Sequence, residues 1–536
     1  MQKSNSKAEK AFINGKLFTV DEKMPYAEAV ITRNNRIFFV GSTEQARHYI
    51  TPQTEVIDLK GKLMLPGFID NHVHFINGGF YLLGVNLRHT KSTDEFKQTL
   101  KNFVSQNRGK WITGGDWDHE AWERNELPVK EWIDGFTEDT PVLINRFDAH
   151  MALANSLALK LAGISKDTPD PEGGLIVKDK ITGEPTGILK DNAIGLVNAV
   201  RPKPGKVDYE MALKAALDEA KKHGFTSVQD ITFPDDFRTY QKFEKEGRLT
   251  CRIYTRLPIA ECECLIRSGI KCNFGSEKLK IGSLKAFADG SLGSSTALFF
   301  EPYNQDTSTH GLAMDILTDG RLKNWALVSD RAGLQLSIHA IGDKANSLIL
   351  DIFEEVVKSN PPWDRRFRIE HAQHVRKEDL RRFAGMNVIA SVQPYHLIDD
   401  GCWAEKRIGA ERLKTAYQFK SFIDSGIKVC FGSDWSVAPL DPLMGIYAAV
   451  TRRTLDGMRP EGWIPQEKIS VEEAIRSYTI NNAYASFEED IKGSIEEGKL
   501  ADLVVLSKDI LSIDPSEIKD VRVEMTVFDG NVIYEA

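Results

Sequence analysis

The 536-residue chain lacks the sequence features of several protein classes. Six cysteines are too few for a disulfide scaffold in a chain of this length. No run of 18 or more apolar residues predicts a membrane span, and the first ten residues lack the apolar stretch of a signal peptide. The net charge of −8 argues against a surface that binds nucleic acid. We therefore expect a cytoplasmic protein that binds neither membranes nor nucleic acid.

Two motifs for nucleotide-type ligands are also missing. No Gly-x-Gly-x-x-Gly follows a predicted strand, which disfavours a dinucleotide-dependent oxidoreductase. The loop at 290–293 lacks the Gly-Lys-Ser/Thr ending of a phosphate-binding loop. The composition, with 41% hydrophobic and 27% charged residues, is that of a globular protein. The length suits two to four domains.

A short, mostly apolar strand at residues 64–75 carries the first chemical signal. Pro66 and Gly67 open it, and His72 and His74 stand two positions apart near its end. Side chains two apart on a strand point the same way, so both imidazoles face one side. Such a pair can bind one metal ion, but taken alone it is equally compatible with two polar residues at a strand end.

Strand-like segments alternate with helical segments through the middle of the chain. After residues 64–75, the further strands are predicted at 225–231, 252–257, 279–289, 334–340, 367–372, 388–394 and 428–434. Eight βα units favour an α/β fold, a (β/α)8 TIM barrel, with a doubly wound open sheet as the structural alternative.

The two ends of the chain have the character of short strands and tight turns. We expect residues 1–64 and 485–536 to build one small β-sandwich around a hydrolase barrel at 65–484. The gap between the first and second barrel strands is too long for one helix, and it predicts an inserted α+β subdomain at 77–205. Loops after barrel strands emerge at the catalytic face, so this insertion should cover the site.

Metal-ligand residue types stand at the carboxyl ends of five of these strands. In a barrel those ends converge on one pocket. Four imidazoles and a carboxylate aimed at one point are unfavourable as unpaired buried groups, and a divalent metal, or better a pair, resolves this. The set is His72, His74, Lys285, His339, His371 and Asp434.

On these motifs the chain resembles the amidohydrolase superfamily, specifically its amidohydrolase-3 branch of YtcJ-like metal-dependent hydrolases. The resemblance covers nearly the whole chain. It rests on LPGFIDNHVH at 65–74, DAHMALAN at 148–155, LKAFADGSLG at 284–293, IHAIGD at 338–343, IEHA at 369–372, GSDW at 432–435 and GSIEEGKLADL at 493–503. One departure is Ser295, which stands where many relatives carry arginine.

The resemblance implies a binuclear metal centre, with two zinc ions as the expected cofactors. His72, His74 and Asp434 would bind one ion, and His339 and His371 the other. Lys285, carboxylated by CO2, would bridge them. Histidine and carboxylate ligands also suit manganese, iron or cobalt.

The expected activity is amidohydrolase chemistry: hydrolysis of a carbon–nitrogen, non-peptide amide bond of a small molecule. Metal-activated hydroxide would attack the carbonyl carbon, with Asp434 as the general base and then the acid. Three readings compete with it: a mononuclear deaminase, an esterase on the same scaffold, and a non-catalytic metal-binding regulatory protein.

Five further residues are candidates for substrate binding, each with a structural alternative. Asp148 and His150 would contact substrate or form a structural pair, and Trp117 would line the pocket or belong to the core of the insertion. Gln393 and His396 end the seventh strand. His374 is expected to lie either behind the ligands or at the surface, and not in the ligand set. A homodimer is the commonest assembly to expect.

Overall fold

The structure, a computed structural model, describes residues 10–123, 126–147 and 150–536. Its largest sheet has eight parallel strands in consecutive order, and the strand at Leu279–Phe287 also pairs with a short antiparallel strand, Phe274–Gly275. The eight are Phe68–Val73, Phe225–Ile231, Arg252–Pro258, Leu279–Phe287, Leu336–Ala340, Arg368–His371, Ile389–Val392 and Val429–Phe431, here called barrel strands 1 to 8. The second strand is buried at every position, as expected where both faces of a parallel sheet are covered.

The sheet returns on itself to make a barrel. A parallel bridge joins Val73, at the end of strand 1, to Trp435, just after strand 8. The backbone N–H groups of His74 and Asp434 add bonds to the carbonyls of Trp435 (2.6 Å) and His72 (2.8 Å). This confirms the predicted (β/α)8 fold over the open-sheet alternative.

Helices follow most barrel strands. The longest ones are amphipathic: at Asp343–Ser359, Ile349, Leu350 and Phe353 are buried while the charged residues face outward. Helices occupy Lys206–Lys222, Pro234–Lys245, Cys262–Arg267, Asp315–Thr318, Arg321–Arg331, Asp343–Ser359, Lys377–Gly385, Pro394–Asp400, Ala404–Leu413, Phe419–Asp424, Pro442–Thr451, Val471–Ser477 and Ile480–Ala485, with short 3-10 turns at Ile259–Glu261 and Pro465–Glu467.

Residues from both ends of the chain form two further sheets. One has the strands Arg36–Gly41, Ala29–Arg33, Lys10–Ile13 and Glu55–Asp58 in that order, with the helix Thr43–Arg47 beside it. The other runs Asn531–Glu535, Val523–Phe528, Leu503–Leu506, Leu63–Pro66, Lys16–Phe18 and Tyr26–Ala27, and a 3-10 turn, Pro515–Asp520, precedes its C-terminal hairpin. A shared core that includes Phe12, Val30, Met64, Leu503 and Val527 makes them one sandwich.

Residues Ile76–Ala216 form a separate compact unit. Its mixed six-stranded sheet has the order Gly174–Lys178, Pro185–Asp191, Met151–Ala154, Leu143–Arg146, Gly114–Trp117 and Val85–Asn86. Its helices are Thr93–Gln106, Glu131–Asp134, Ser156–Leu161 and Ile194–Asn198, with a 3-10 turn at His119–Ala121, while Phe75–Leu83 and Lys206–Lys222 cross its two boundaries. The unit has the α+β character predicted for the insertion.

Across the described ranges, no helix combines the length and the apolar character needed to cross a bilayer.

Candidate metal centre

Three of the predicted ligands meet where barrel strands 1 and 8 close the barrel. One ligand atom each of His72, His74 and Asp434 lies within 4.8 Å of the other two. Oδ1 of Asp434 is 3.5 Å from Nε2 of His72 and 3.4 Å from Nε2 of His74. Gly432 permits the close approach of the strands, because a Cβ there would lie 2.5 Å from the backbone nitrogen of His72.

A buried carboxylate fixes the orientation of His72. Nδ1 of His72 donates to Oε2 of Glu370 (2.5 Å), which leaves Nε2 directed at Asp434. Carboxylate partners of this kind set the tautomer and the ring direction of metal-ligating histidines. Burial, followed by the charge of Arg256, lowers the pKa of His72 to about 3, so the ring is neutral and able to ligate at physiological pH.

Two arginines hold Glu370 ionised inside the barrel. Nη1 of Arg256 is 2.9 Å from Oε2, and Nε of Arg368 is 3.0 Å from Oε1, with all three side chains fully buried. Burial alone disfavours the carboxylate, but the two guanidinium groups outweigh it and hold the pKa of Glu370 well below its usual range. Ser391 donates a further hydrogen bond to Oε2 at 2.6 Å.

His371, at the end of strand 6, is positioned by the neighbouring strand. Its Nδ1 donates to Oε1 of Gln393 (2.7 Å), so Nε2 is the nitrogen left for a ligand. Gln393 is fully buried, and its hydrogen bond fixes the orientation of the His371 ring. The ring of His371 lies 4.8 Å from that of His72 and 4.4 Å from that of His339, centroid to centroid. His371 also has φ +73°, an unfavourable backbone conformation of the kind that clusters at functional sites.

His339 engages the loop that follows strand 4. Its Nε2 lies 3.0 Å from the carbonyl oxygen of Gly290 and 3.4 Å from Oδ1 of Asp289. A neutral ring that donates from Nε2 keeps Nδ1 as its acceptor, so Nδ1 is the nitrogen able to ligate. His339 therefore borders the centre, with the neighbouring ring of His371 between it and His72.

Lys285 carries a buried amine close to these rings. Its side chain is 3% exposed, and Nζ has no hydrogen-bond partner within the described residues. Burial, which outweighs the opposing field of Glu370, lowers the pKa of Lys285 to about 7. A large fraction of this amine is therefore uncharged and nucleophilic near neutral pH.

Asp434 stands between the histidine pair and His396. Its Oδ2 lies 3.3 Å from Nε2 of His396. Burial opposes ionisation, but His72, His396 and His74 outweigh it and keep the pKa of Asp434 well below the ordinary value. Asp434 has φ +60°, so both it and His371 adopt left-handed backbone at the strand ends.

Several residues that shape the centre were not singled out in the sequence. Glu370 and Arg256 are the clearest cases. Asp70 is another, since it accepts hydrogen bonds from the backbone N–H groups of His72 (3.0 Å) and Ser433 (3.0 Å). Their signal was available in part, because a charged residue inside a predicted barrel strand needs a buried partner. Which partner it has depends on contacts between distant strands.

The other predicted substrate residues belong to the stretch of chain between barrel strands 1 and 2. Trp117 is fully buried in the core of the unit at Ile76–Ala216, where Nε1 donates to the carbonyl of Ile144 (3.0 Å). This corrects a pocket-lining reading of Trp117. In the same unit, His150 is exposed and its Nδ1 lies 2.8 Å from Oδ1 of Asp191. Asp148 falls outside the described residues.

His374 is neither a ligand nor a surface residue. It is 1% exposed, and its ring packs 5.2 Å from the ring of Phe299, centroid to centroid. Neither ring nitrogen has a hydrogen-bond partner within the described residues. This corrects the expectation of a surface position that the sequence had left open.

The donor set fits a divalent metal. Imidazole nitrogens of His72 and His74 and a carboxylate oxygen of Asp434 converge. Burial lowers the pKa of His72 and of the neighbouring His371, so both rings are neutral, and the pKa of Asp434 is held low, so it is ionised, as metal ligands need to be. Nζ of Lys285 is buried with no hydrogen-bond partner among the described residues, which is a second sign that a bound group completes this site.

Comparison with known proteins agrees with this geometry. The sequence profile of the Amidohydrolase family matches residues 55–534. The chain belongs to this family. A solved structure of an uncharacterized metal-dependent hydrolase from Pyrococcus furiosus is 30% identical, with a TM-score of 0.78, and covers 94% of this chain and 100% of its own.

Three relatives extend over most of the chain. Protein LONG AFTER FAR-RED 3 of Arabidopsis thaliana is 41% identical over 92% of this chain and 86% of its own length. YtcJ of Bacillus subtilis (strain 168), which is named as an amidohydrolase, is 35% identical over 97% and 98%. The N-substituted formamide deformylase of Arthrobacter pascens is 27% identical over 98% of each chain. The protein is therefore a metal-dependent hydrolase of the YtcJ-like type by family.

Proposed function

We propose that this protein hydrolyses a carbon–nitrogen, non-peptide amide bond of a small molecule. The observation that carries the proposal is the convergence of His72, His74 and Asp434 at the barrel mouth, with Asp434 held ionised. A carboxylate in that position can take a proton from a water and return it to a departing nitrogen. The name of the Arthrobacter pascens relative supports an amide as the substrate class.

We propose two metal ions, each held by its own group of residues. His72, His74 and Asp434 would hold one divalent ion. His339 and His371, whose rings lie 4.4 Å apart, would hold a second, with zinc as the expected metal. A carboxylated Lys285 would join the two positions. The pKa of about 7 at Lys285 supports this, because an uncharged amine adds to CO2, and the resulting carbamate would offset the positive charge of Arg256 and Arg368 nearby.

The chain's own groups divide the chemistry as follows. When bound, the ions would polarise the amide carbonyl and lower the pKa of a water. Asp434 would accept a proton from the attacking water as the water oxygen bonds to the amide carbon, and Nε2 of His396 lies 3.3 Å from Oδ2 of Asp434. The protonated Asp434 then delivers the proton to the leaving nitrogen, which departs as a neutral amine. Glu370 and Gln393 keep the rings of His72 and His371 in place throughout.

Further parts of the proposal concern the setting of the reaction. We propose a cytoplasmic location and a homodimer as the assembly.

Metal content tests the proposed centre. We would measure metal per chain in protein purified without chelator, for the wild type, Lys285→Ala and the control Lys280→Ala on the same strand. The expected result is about two ions for the wild type and Lys280→Ala, and one or none for Lys285→Ala. About one ion in all three proteins would favour a mononuclear amide hydrolase or deaminase, and no metal in any would refute the catalytic proposal.

Substitution of Asp434 tests the proton transfer. An amide library would first identify a substrate with the metal-loaded wild type, with the matching esters as the competing class. Asp434→Asn should then lower kcat by at least about 100-fold, the lower range of a lost general base. An unchanged kcat at normal metal content would show that Asp434 is not the base.

A further inference from the structure

One large apolar side chain is exposed beside the candidate metal centre. Phe287 is the last residue of barrel strand 4 and is 40% exposed. Its neighbours Ala286 and Ala288 are buried at 2% and 0%. The exposure therefore belongs to the side chain of Phe287 and not to the end of the strand as a whole.

The ring of Phe287 lies on the inward face of the strand, next to the site. Lys285 is two residues earlier, so the two side chains point the same way. The ring centroid of Phe287 is 4.6 Å from Nζ of Lys285 and 5.2 Å from the ring of His339. These contacts cover part of the ring, and the rest of it faces solvent at the mouth of the barrel.

The ring of Phe287 is apolar, whereas the metal-ligand groups beside it are polar. The groups of the centre include imidazoles, carboxylates and the amine of Lys285, which serve ligation and proton transfer. An exposed aromatic ring adjacent to such groups contributes no ligand atom. Its contact with water is unfavourable, and packing of an apolar group against it would remove that cost. Pockets for small molecules commonly pair a few polar groups with apolar surface that fixes the ligand's orientation.

We infer that Phe287 is a substrate-contact residue that selects amides with an apolar, preferably aromatic, group next to the scissile bond. The inference rests on the proposed amide hydrolysis and adds the substrate class. The apolar group would pack on the exposed part of the ring, while Lys285 and His339 contact the ring elsewhere. Offset or edge-to-face packing of two rings adds to the gain from burial.

The test compares two series of amides with the metal-loaded wild type. In one, the acyl group is acetyl and the nitrogen carries methyl, butyl or benzyl. In the other, the nitrogen carries methyl and the acyl group is acetyl, pentanoyl or phenylacetyl. In one of the two series we expect kcat/KM to rise about tenfold or more from the smallest to the aromatic member, which corresponds to about 1.4 kcal/mol.

Three variants separate a substrate contact from a structural role. Phe287→Ala should reduce the ratio of kcat/KM between the aromatic and the smallest amide about tenfold, mainly through KM, and Phe287→Leu should retain part of it. The matched control is Phe300→Ala. Phe300 is 41% exposed, like Phe287, but its ring contacts the guanidinium group of Arg376 rather than the groups of the metal centre. It should leave the ratio unchanged. Metal content and the circular dichroism spectrum are measured for all variants.

The outcomes distinguish this inference from the proposed function. If the wild type hydrolyses the small amides but kcat/KM is flat in both series, the amidohydrolase proposal stands and the role of Phe287 is refuted. A ratio that survives in Phe287→Ala, with normal metal content, refutes it as well. If Phe287→Ala fails to fold, the Phe287→Leu ratio decides. If the metal-loaded wild type hydrolyses no amide in either series, both are overturned.

Discussion

The buried carboxylate of Glu370 offers the most direct test of how the barrel interior prepares the metal centre. Glu370→Gln keeps the shape of the side chain but removes its charge. The amide cannot satisfy Arg256, Arg368 and Nδ1 of His72 together, because one of its two polar atoms is a donor. His72 therefore loses its strong partner, and the two buried guanidinium groups lose the carboxylate that they share.

Two magnitudes follow from these contacts. Loss of the partner of a ligating histidine typically lowers metal affinity 10- to 100-fold, which is about 1.4 to 2.8 kcal/mol. Breaking a buried ion pair from one side costs about 3–5 kcal/mol of folding free energy. If the unpaired charge of the arginines causes the loss of folding free energy, removing one of them should restore part of it. The double variant Arg256→Met/Glu370→Gln should then be more stable than Glu370→Gln alone by about 1 kcal/mol or more.

Metal affinity would be measured by competition with a chelator dye, and the stability of the metal-free protein by urea unfolding. The matched control is Glu354→Gln, which removes a partly exposed partner of Arg382 and should change stability by less than about 1 kcal/mol. A folded Glu370→Gln protein with unchanged metal affinity would refute the positioning of His72 by Glu370. A double variant no more stable than the single one would refute the charge argument.

Three further predictions concern buried polar groups. Burial lowers the pKa of His374 to about 3, so between pH 6.5 and pH 3 the unfolded chain binds a proton that the folded chain excludes. His374→Leu should therefore stabilise the folded protein by about 2 kcal/mol more at pH 5 than at pH 8, as measured by urea unfolding. Equal gains at the two pH values would contradict this. Arg252→Met should cost about 3–5 kcal/mol at pH 7. Because cations outweigh burial and lower the pKa of Asp529 to about 2, that cost should shrink as the pH falls from about 4 to 2, and a pH-independent cost in thermal unfolding would be the contrary result. Gln393→Leu should lower metal affinity about tenfold by freeing His371, whereas Gln393→Glu should keep most of it; equal affinities by chelator titration would show that the 2.7 Å bond is not needed.

The limits of the sequence are visible at strand 6. Alternation along 367–372 assigns Glu370 and His371 to opposite faces, yet both reach the barrel interior. The reason is the backbone: His371 has φ +73° and Ala372 φ +42°, so the extended conformation ends there and the period of two no longer applies. Nothing in the residue types alone indicates this change.

What the sequence determined by itself is the periodic part of the molecule. All eight barrel strands lie within the predicted segments or differ from them by a residue, because buried parallel strands read as short apolar runs separated by helical stretches. The sequence also placed the polar ligand types at the ends of those runs, where a barrel gathers them.

Only the tertiary structure decided which atoms act together. His72 and Glu370 are 298 positions apart, and no local pattern relates them until the barrel closes. The same holds for the nitrogen that each imidazole presents, for the buried amine of Lys285, and for the exposed ring of Phe287 beside it. These properties depend on burial and on the field of distant charges, which act over a few ångströms in space and have no counterpart in sequence spacing.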